Sequence, residues 1–524
     1  AAVHAAAELA LAAARAQFEA GHYLDARAGA DQVATTAAAL GFAPLAIDAA
    51  LVRGRIAAAL GATDQAQVYL RGAVADASRL GLVDVAAAAW AALAFAASEA
   101  GDLASAELAA QVGLAEAARR DDRAAVVETA VLAQRIAILR GDVAAADRLG
   151  GEVERAAAGL VERDWRIRVA VVGTRASRLR AAGRLDDALA AATEARDVTA
   201  AALGEDHPEL WASEYRLAAI EFGRGEVARA RQLLARVRAR LAAAAVDGAA
   251  VVDVLYNAAI LDAAMTQDAT ADLDRAQAIA DRVLPANSLA RTWIAYARGV
   301  VAFERDDVAT ARSWFERVVV AVDGRDLRLE ASARENLGKT LARSDDLVGA
   351  EAELRRAVVL RARQDPRSLE LARTRGALAR VLLSREREAE ALALLDDALA
   401  VMAAVEAQLA PEAAVLRLYR VAALNELDRV AEFDAAMVGL VAALRPTGDA
   451  YDLGLALLFD ADRAWRAGDE VAALAAATEA RDVTAAALGE DHPELWASEY
   501  RLAAIEFGGG VLGHRRVEDR GVVE

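Results

Sequence analysis

The sequence predicts an all-α protein, an α-solenoid of about twelve helix-turn-helix repeats with a period near 40 residues. Three observations predict it. Strong helix formers dominate the 524 residues, with only 7 prolines and 34 glycines to punctuate them. A short turn phrase recurs at a nearly constant interval. A small residue recurs at a constant distance before each phrase, where two helices would cross.

The turn phrase is a small or polar residue, an aspartate or similar, an apolar residue, two spacers and an alanine. Its closing alanines are Ala26, Ala66, Ala106, Ala146, Ala188, Ala230, Ala271, Ala311, Ala350, Ala391, Ala431 and Ala473. Successive anchors lie 39 to 42 residues apart. Twelve residues before them stand Ala14, Gly54, Ala94, Gln134, Ala176, Ala218, Ala259, Gly299, Gly338, Ala379, Tyr419 and Ala461. All but Gln134 and Tyr419 are Ala or Gly. Seven residues after each anchor the residue is always Ala, Gly or Val, as at Ala73, Gly113, Ala195 and Val318. Each unit therefore reads as a helix, a tight turn, a second helix and a short connection.

This pattern resembles the tetratricopeptide repeat, with small residues on its first helix and alanines on its second. The usual period of that repeat is about 34 residues. The longer spacing here is similar to kinesin light chain-like arrays, as is the segment LGEDHPEL, Leu203 to Leu210. The resemblance spans residues 1–508 and implies a right-handed solenoid. In LGEDHPEL, Gly204 is expected to end a helix in the left-handed conformation. Pro208 suits the first turn of the next helix, with Asp206 or His207 as its cap. That role explains His207 better than ligand binding does.

Residues Ala188–Gly223 recur unchanged as Ala473–Gly508. The other repeats have diverged widely, so the identity implies a recent duplication, a recombination or an assembly error. The second copy stops after one helix of a thirteenth repeat. Residues 509–524 read as a disordered tail, and the helix before them as the weakest of the array. The chain opens at Ala1 inside a helical pattern, which reads as a piece of something longer.

Composition narrows the function classes. No cysteine is present, which excludes disulfide and thiolate chemistry and fits the reducing cytoplasm. A net charge of -18 argues against nucleic-acid or anionic-membrane partners. The longest apolar run, Val85 to Ala97, is too short to span a bilayer. The five histidines have no zinc-binding spacing. ARENLGKT, Ala333 to Thr340, matches only the end of a nucleotide-binding loop: Ala333 stands where glycine is required, and no strand precedes it. Acidic pairs such as Asp186–Asp187 and Asp306–Asp307 fit helix capping better than acid-base work. The chain is expected to be no enzyme and to need no cofactor or metal.

A partner surface is expected instead, on the first helices, which the resemblance places along a concave groove. Eleven residues before the anchors stand Arg15, Arg55, Arg135, Lys339, Arg380 and Arg420, the last three in consecutive repeats. They would meet a protein or peptide with acidic segments, or else pair with neighbouring carboxylates. Fifteen before the anchors stand Tyr215, Tyr256 and Tyr296, with Asn257 and Asn336 one position on in their own repeats. These would contact a peptide or pack between repeats. Trp211, Trp293, Trp314 and Trp465 read as core. The resemblance implies a protein-interaction scaffold, the regulatory region of a larger bacterial signalling protein such as a Ser/Thr kinase. The alternative is the sensor region of a transcriptional regulator, binding a small ligand or signalling peptide.

Overall fold

The computed structural model describes residues 2–506, except 141, 182–183, 206, 208, 244–248, 285, 287, 323, 325, 365, 367, 404–409, 448–449 and 490–494. The expected disorder of 509–524 and the caps at Asp206 and Pro208 lie outside these residues. Among those described, every regular element is helical.

The chain divides into two compact units, Ala1–Pro366 and Arg367–Glu524. The first holds nine antiparallel pairs: α1 (Ala2–Glu19) with α2 (Tyr23–Leu40), α3 (Ala43–Ala59) with α4 (Thr63–Leu80), α5 (Val83–Glu99) with α6 (Leu103–Arg119), α7 (Arg123–Arg140) with α8 (Val143–Ala157), α9 (Trp165–Ala181) with α10 (Leu185–Leu203), α11 (Glu209–Gly223) with α12 (Val227–Ala243), α13 (Ala249–Ala264) with α14 (Thr270–Val283), α15 (Leu289–Glu304) with α16 (Val308–Val322), and α17 (Leu327–Arg343) with α18 (Leu347–Gln364). The second holds α19 (Leu369–Ser384) with α20 (Glu388–Ala403), α21 (Ala410–Glu426) with a broken partner, α22 (Val430–Met437) and α23 (Leu440–Leu444), then α24 (Ala450–Arg466) with α25 (Glu470–Leu488), and finally α26 (Leu495–Glu506). Among the described residues, twelve helical hairpins and one further helix follow one another along the chain, the all-α repeat predicted.

Complementary volumes lock each pair. The small residue twelve before the anchor faces the residue four after it. A Cβ on Gly54 would lie 2.5 Å from Leu70 Cγ, one on Gly299 2.7 Å from Phe315, and one on Gly338 2.6 Å from Leu354. Glycine on one helix thus makes room for a large side chain on the other. The fourth repeat inverts the arrangement. Gln134 fills the first-helix position and Gly150 the second; a Cβ there would lie 2.8 Å from Gln134 Nε2. The buried Gln134 amide donates to the Ala146 carbonyl at 2.9 Å, which offsets part of its desolvation.

Two anchors differ from expectation. In the eleventh repeat Ala431 is exposed, and Phe433, fully buried, fills the anchor slot. Val421 then replaces Tyr419 as the crossing residue, and Leu440 replaces Val438, which is 71% exposed. The seventh repeat has a turn two residues shorter in effect: Ala269 is buried where Ala271 was expected. Alanine is so abundant that a false anchor two residues away looks as good in the sequence.

The turns follow backbone rules. The residue five before the anchor takes positive φ at Gly21, Gly61, Gly101, Gly225 and Gly468, and also at Thr266, Asp306, Asp345 and Glu386. One residue later, Asp102, Asp142, Asp307, Asp346 and Asp469 each accept an N–H from the first turn of the second helix. Asp307 therefore caps, as expected. Asp186 and Asp187 do not: they take Arg224 and Arg184, at 2.8 and 2.9 Å. Gly204 has positive φ but ψ of 160°, so it ends α10 in an extended form open to glycine rather than the left-handed helical one.

The first unit winds tightly. α7 lies against α17 and α18, five repeats on. Arg166 reaches Glu19 at 3.7 Å, and the His207 ring nitrogen Nε2 donates to the Glu19 carbonyl at 3.2 Å. The His207 carbonyl accepts from Leu210 N–H at 3.0 Å at the start of α11, while its ring bonds Glu19.

Candidate functional site

The candidate first-helix positions divide into occupied and open ones. Of the cations eleven before the anchor, Arg15 pairs with Asp48 at 3.4 Å and Arg135 with Glu99. Lys339 donates to Glu335 Oε1 at 2.6 Å, one helical turn earlier. Arg55 and Arg380 are exposed and form no ion pair or side-chain hydrogen bond among the described residues. Although its side chain is exposed, partial desolvation lowers the Arg55 pKa, against the pull of Glu128 and Glu19; Arg15 pushes the same way as the desolvation.

Arg420 belongs to another row. With Phe433 as anchor it stands thirteen residues before it, as Arg53 does before Ala66. Arg420 bonds Asp396 and Arg53 bonds Asp31, each at 2.6 Å, and each acid stands five residues after the preceding anchor. The three consecutive cations expected at Lys339, Arg380 and Arg420 thus do not share one face position.

The tyrosines and asparagines join neighbouring repeats. Tyr215 OH donates to Asn257 Oδ1 at 3.5 Å, and Asn336 Nδ2 donates to Tyr296 OH at 2.9 Å. In both, the tyrosine of one repeat meets the asparagine of the next. Asn257 also donates to the Asp253 carbonyl at 2.7 Å. Tyr256 is 7% exposed and stacks on Trp293 at 5.6 Å. Trp293 meets Tyr296 edge-on, and Tyr296 leans on Phe315. Burial raises all three phenol pKa values, that of Tyr296 to about 12.

One inner acid is perturbed strongly. Asp253 on α13 is pushed up to about 7, first by desolvation and then by the Glu99 charge, while Arg135 opposes the rise. Sequence reasoning missed it, because its neighbours come from repeats three and four places earlier. The ARENLGKT segment lies wholly inside α17, and Gly338 serves helix packing against Leu354, so it forms no phosphate loop. Among the described residues no group of three acidic or histidine side chains is arranged to hold a metal ion, and no helix is long and apolar enough to cross a membrane.

No family model matches the chain, and no curated protein matches it. Solved structures of helical proteins resemble it. The BtubC (BKLC) protein from P. vanneervenii aligns with 45% of this chain and 94% of its own, at 16% identity and a TM-score of 0.35. The Cut9–Hcn1 hetero-tetramer of the APC/C aligns with 94% and 95%, at 11% identity and 0.48. A Rap protein complexed with competence and sporulation factor aligns with 80% and 98%, at 10% identity and 0.40. At these values the likeness adds nothing to what the helix pairs establish by themselves, an all-α array of helical hairpins.

Proposed function

We propose that the chain is a non-catalytic protein-interaction scaffold that holds a partner segment rich in Asp and Glu along its first helices. One observation carries the reading: a helix position that bears a cation in five repeats is left open at Arg380 and Arg55, in a chain of net charge -18. An unpaired guanidinium surrounded by an acidic molecule is a selective point for a carboxylate. Lys339 and the Tyr215, Tyr256, Tyr296, Asn257 and Asn336 positions of the first unit, and Arg420 of the second, lie on first helices too and are further candidate contacts within their own units. Their internal partners would have to be exchanged for those of the ligand. The wider role that fits is the regulatory region of a larger bacterial signalling protein, such as a Ser/Thr kinase.

The test is fluorescence anisotropy with a labelled Asp/Glu-rich peptide against the full chain. Binding should weaken roughly tenfold in Arg380→Glu and fall steeply with salt. Equal binding by wild type, Arg380→Glu and Arg55→Glu would remove the cationic row as the site.

A further inference from the structure

The arginines thirteen residues before the anchor each meet the second helix of the preceding repeat. Arg53 bonds Asp31 at 2.6 Å, Arg298 bonds Asp274 at 2.8 Å and Arg420 bonds Asp396 at 2.6 Å. Each acid stands five residues after the preceding buried anchor. Both members are needed. Glu316 occupies the acid's place after Ala311, but Leu337 stands in the arginine's, and Glu316 accepts from Arg312 on its own helix at 2.8 Å instead.

The junction between α8 and α9 holds the opposite case. Arg175 stands thirteen residues before Ala188, and the residue five after Ala146 is Gly151. Their separation of 24 residues equals that of Arg298–Asp274 and Arg420–Asp396. Side chains bridge these two helices at that separation: Arg178, one turn beyond Arg175, reaches Glu154, one turn beyond Gly151, at 3.1 Å. Arg175 itself is exposed and forms no ion pair or side-chain hydrogen bond among the described residues.

A second cation lies at the same place. Nine residues after the anchor the three paired junctions carry Thr35, Ala278 and Ala400; here the residue is Arg155. It folds back along α8, so that a Cβ on Gly151 would lie 3.3 Å from its Nη1. Arg155 is exposed and forms no ion pair among the described residues, and Asp147, one turn before Gly151, takes neither arginine. α9 supplies no acid of its own, since its only charged residues are arginines.

We infer that the gap at Gly151, between α8 and α9, binds the carboxylate of an Asp or Glu side chain of a partner protein, held by Arg155 and Arg175. The paired junctions show the chemistry: the same arginine position takes an aspartate from the chain itself wherever one is supplied. The gap is open at the surface, so a free small acid would gain few contacts there. A protein side chain brings the rest of its interface with it. The site shares no residue with the row eleven before the anchor and stands if that row fails.

The geometry is tested by the rate at which p-hydroxyphenylglyoxal modifies each arginine of the full chain, read by mass spectrometry. Arg175 should react roughly threefold faster than Arg53, Arg298 and Arg420, and slow to their rate in Gly151→Asp but not in Gly151→Ala. An unchanged rate in Gly151→Asp would show that Arg175 does not face position 151 and overturn the proposal. Binding is tested by fluorescence anisotropy with fluorescein-labelled hexa-aspartate on the full chain carrying Arg55→Glu and Arg380→Glu, which removes the groove contacts. This chain should still bind, and adding Gly151→Asp or Arg175→Glu should each weaken binding roughly fivefold, while Gly151→Ala leaves it unchanged. Binding by the wild-type chain alone would overturn the Gly151 site and leave the groove standing. Equal binding after Gly151→Asp would overturn it too. Displacement of the peptide by inorganic phosphate, where succinate at equal ionic strength has no effect, would assign the gap to phosphate instead of carboxylate.

Discussion

Residues Ala188–Gly223 and Ala473–Gly508 are identical in sequence, and where both copies are described they form corresponding helices. α10 and α25 both run 19 residues and both end at a glycine with positive φ and extended ψ. α11 and α26 present the same inward leucine and isoleucine. Yet Trp211 is core and Trp496 is surface. Local sequence thus determines helix, cap and inward face, while the next helix in the array decides what the outward face is for. In a solenoid each repeat touches mainly its neighbours, so a side chain's role is set one repeat away.

The largest effect should separate the two tryptophans. Trp211→Ala is expected to cost roughly 3–5 kcal/mol in chemical denaturation of the first unit, and Trp496→Ala less than about 0.5 kcal/mol. Comparable losses at the two sites would break the comparison.

The same rule should govern charge. Asp253 lies outside the duplicated stretch, but its surroundings too are supplied by other repeats. Its folded pKa of about 7 lies above the ordinary value of 3.8. Between about pH 4 and 7 the native state therefore holds the extra proton, and stability falls as pH rises through that window. Above it, the cost of the desolvated, partly buried carboxylate remains. Asp253→Asn should stabilise the protein by roughly 2–4 kcal/mol at pH 8 and hardly at all at pH 4.5, read from paired urea titrations. A pH-independent difference would mean that the carboxylate does not titrate in this range.

Arg240→Met leaves buried Glu214 with Arg196, 3.7 Å away, as its remaining ion-pair partner among the described residues, and should cost about 2–3 kcal/mol. Glu499→Gln, the matched change on the open copy, should register near zero. Gly54→Ala should cost about 1–2 kcal/mol through its contact with Leu70, and much less in a Leu70→Ala background. Additivity in that cycle would show that the two positions do not share one space.

Much of the fold was legible in the sequence, because the turn phrase and the small crossing residue are local requirements. The helix pairs follow the twelve turn phrases, and ten of the twelve anchors are buried where expected. What escaped was one step less local. Phe433 displaced Ala431 because the anchor is defined by burial, and the sequence offered an equally spaced alanine. The exchange of volumes between Gly54 and Leu70, or Gln134 and Gly150, lay one helix apart at a fixed offset. The numbering held that signal unread. The tyrosine–asparagine bonds likewise join positions one repeat apart, at Tyr215–Asn257 and Tyr296–Asn336, and both members had been singled out without being paired. The winding that brings Asp253 near Glu99 was not readable, since it accumulates from small rotations at every repeat. Among the first-helix cations the residue types were legible, but which of them keep an internal partner was not: Arg420 takes Asp396, while Arg380 forms no ion pair among the described residues.

Amide hydrogen exchange followed by mass spectrometry tests the contrast between the two copies most directly, because one peptide sequence within Leu203–Phe222 reports both. A covered α11 and an open α26 predict two isotopic envelopes of equal intensity from that single peptide at early exchange times, one protected and one fast. A single envelope would contradict it, since the two copies would then share the same surroundings.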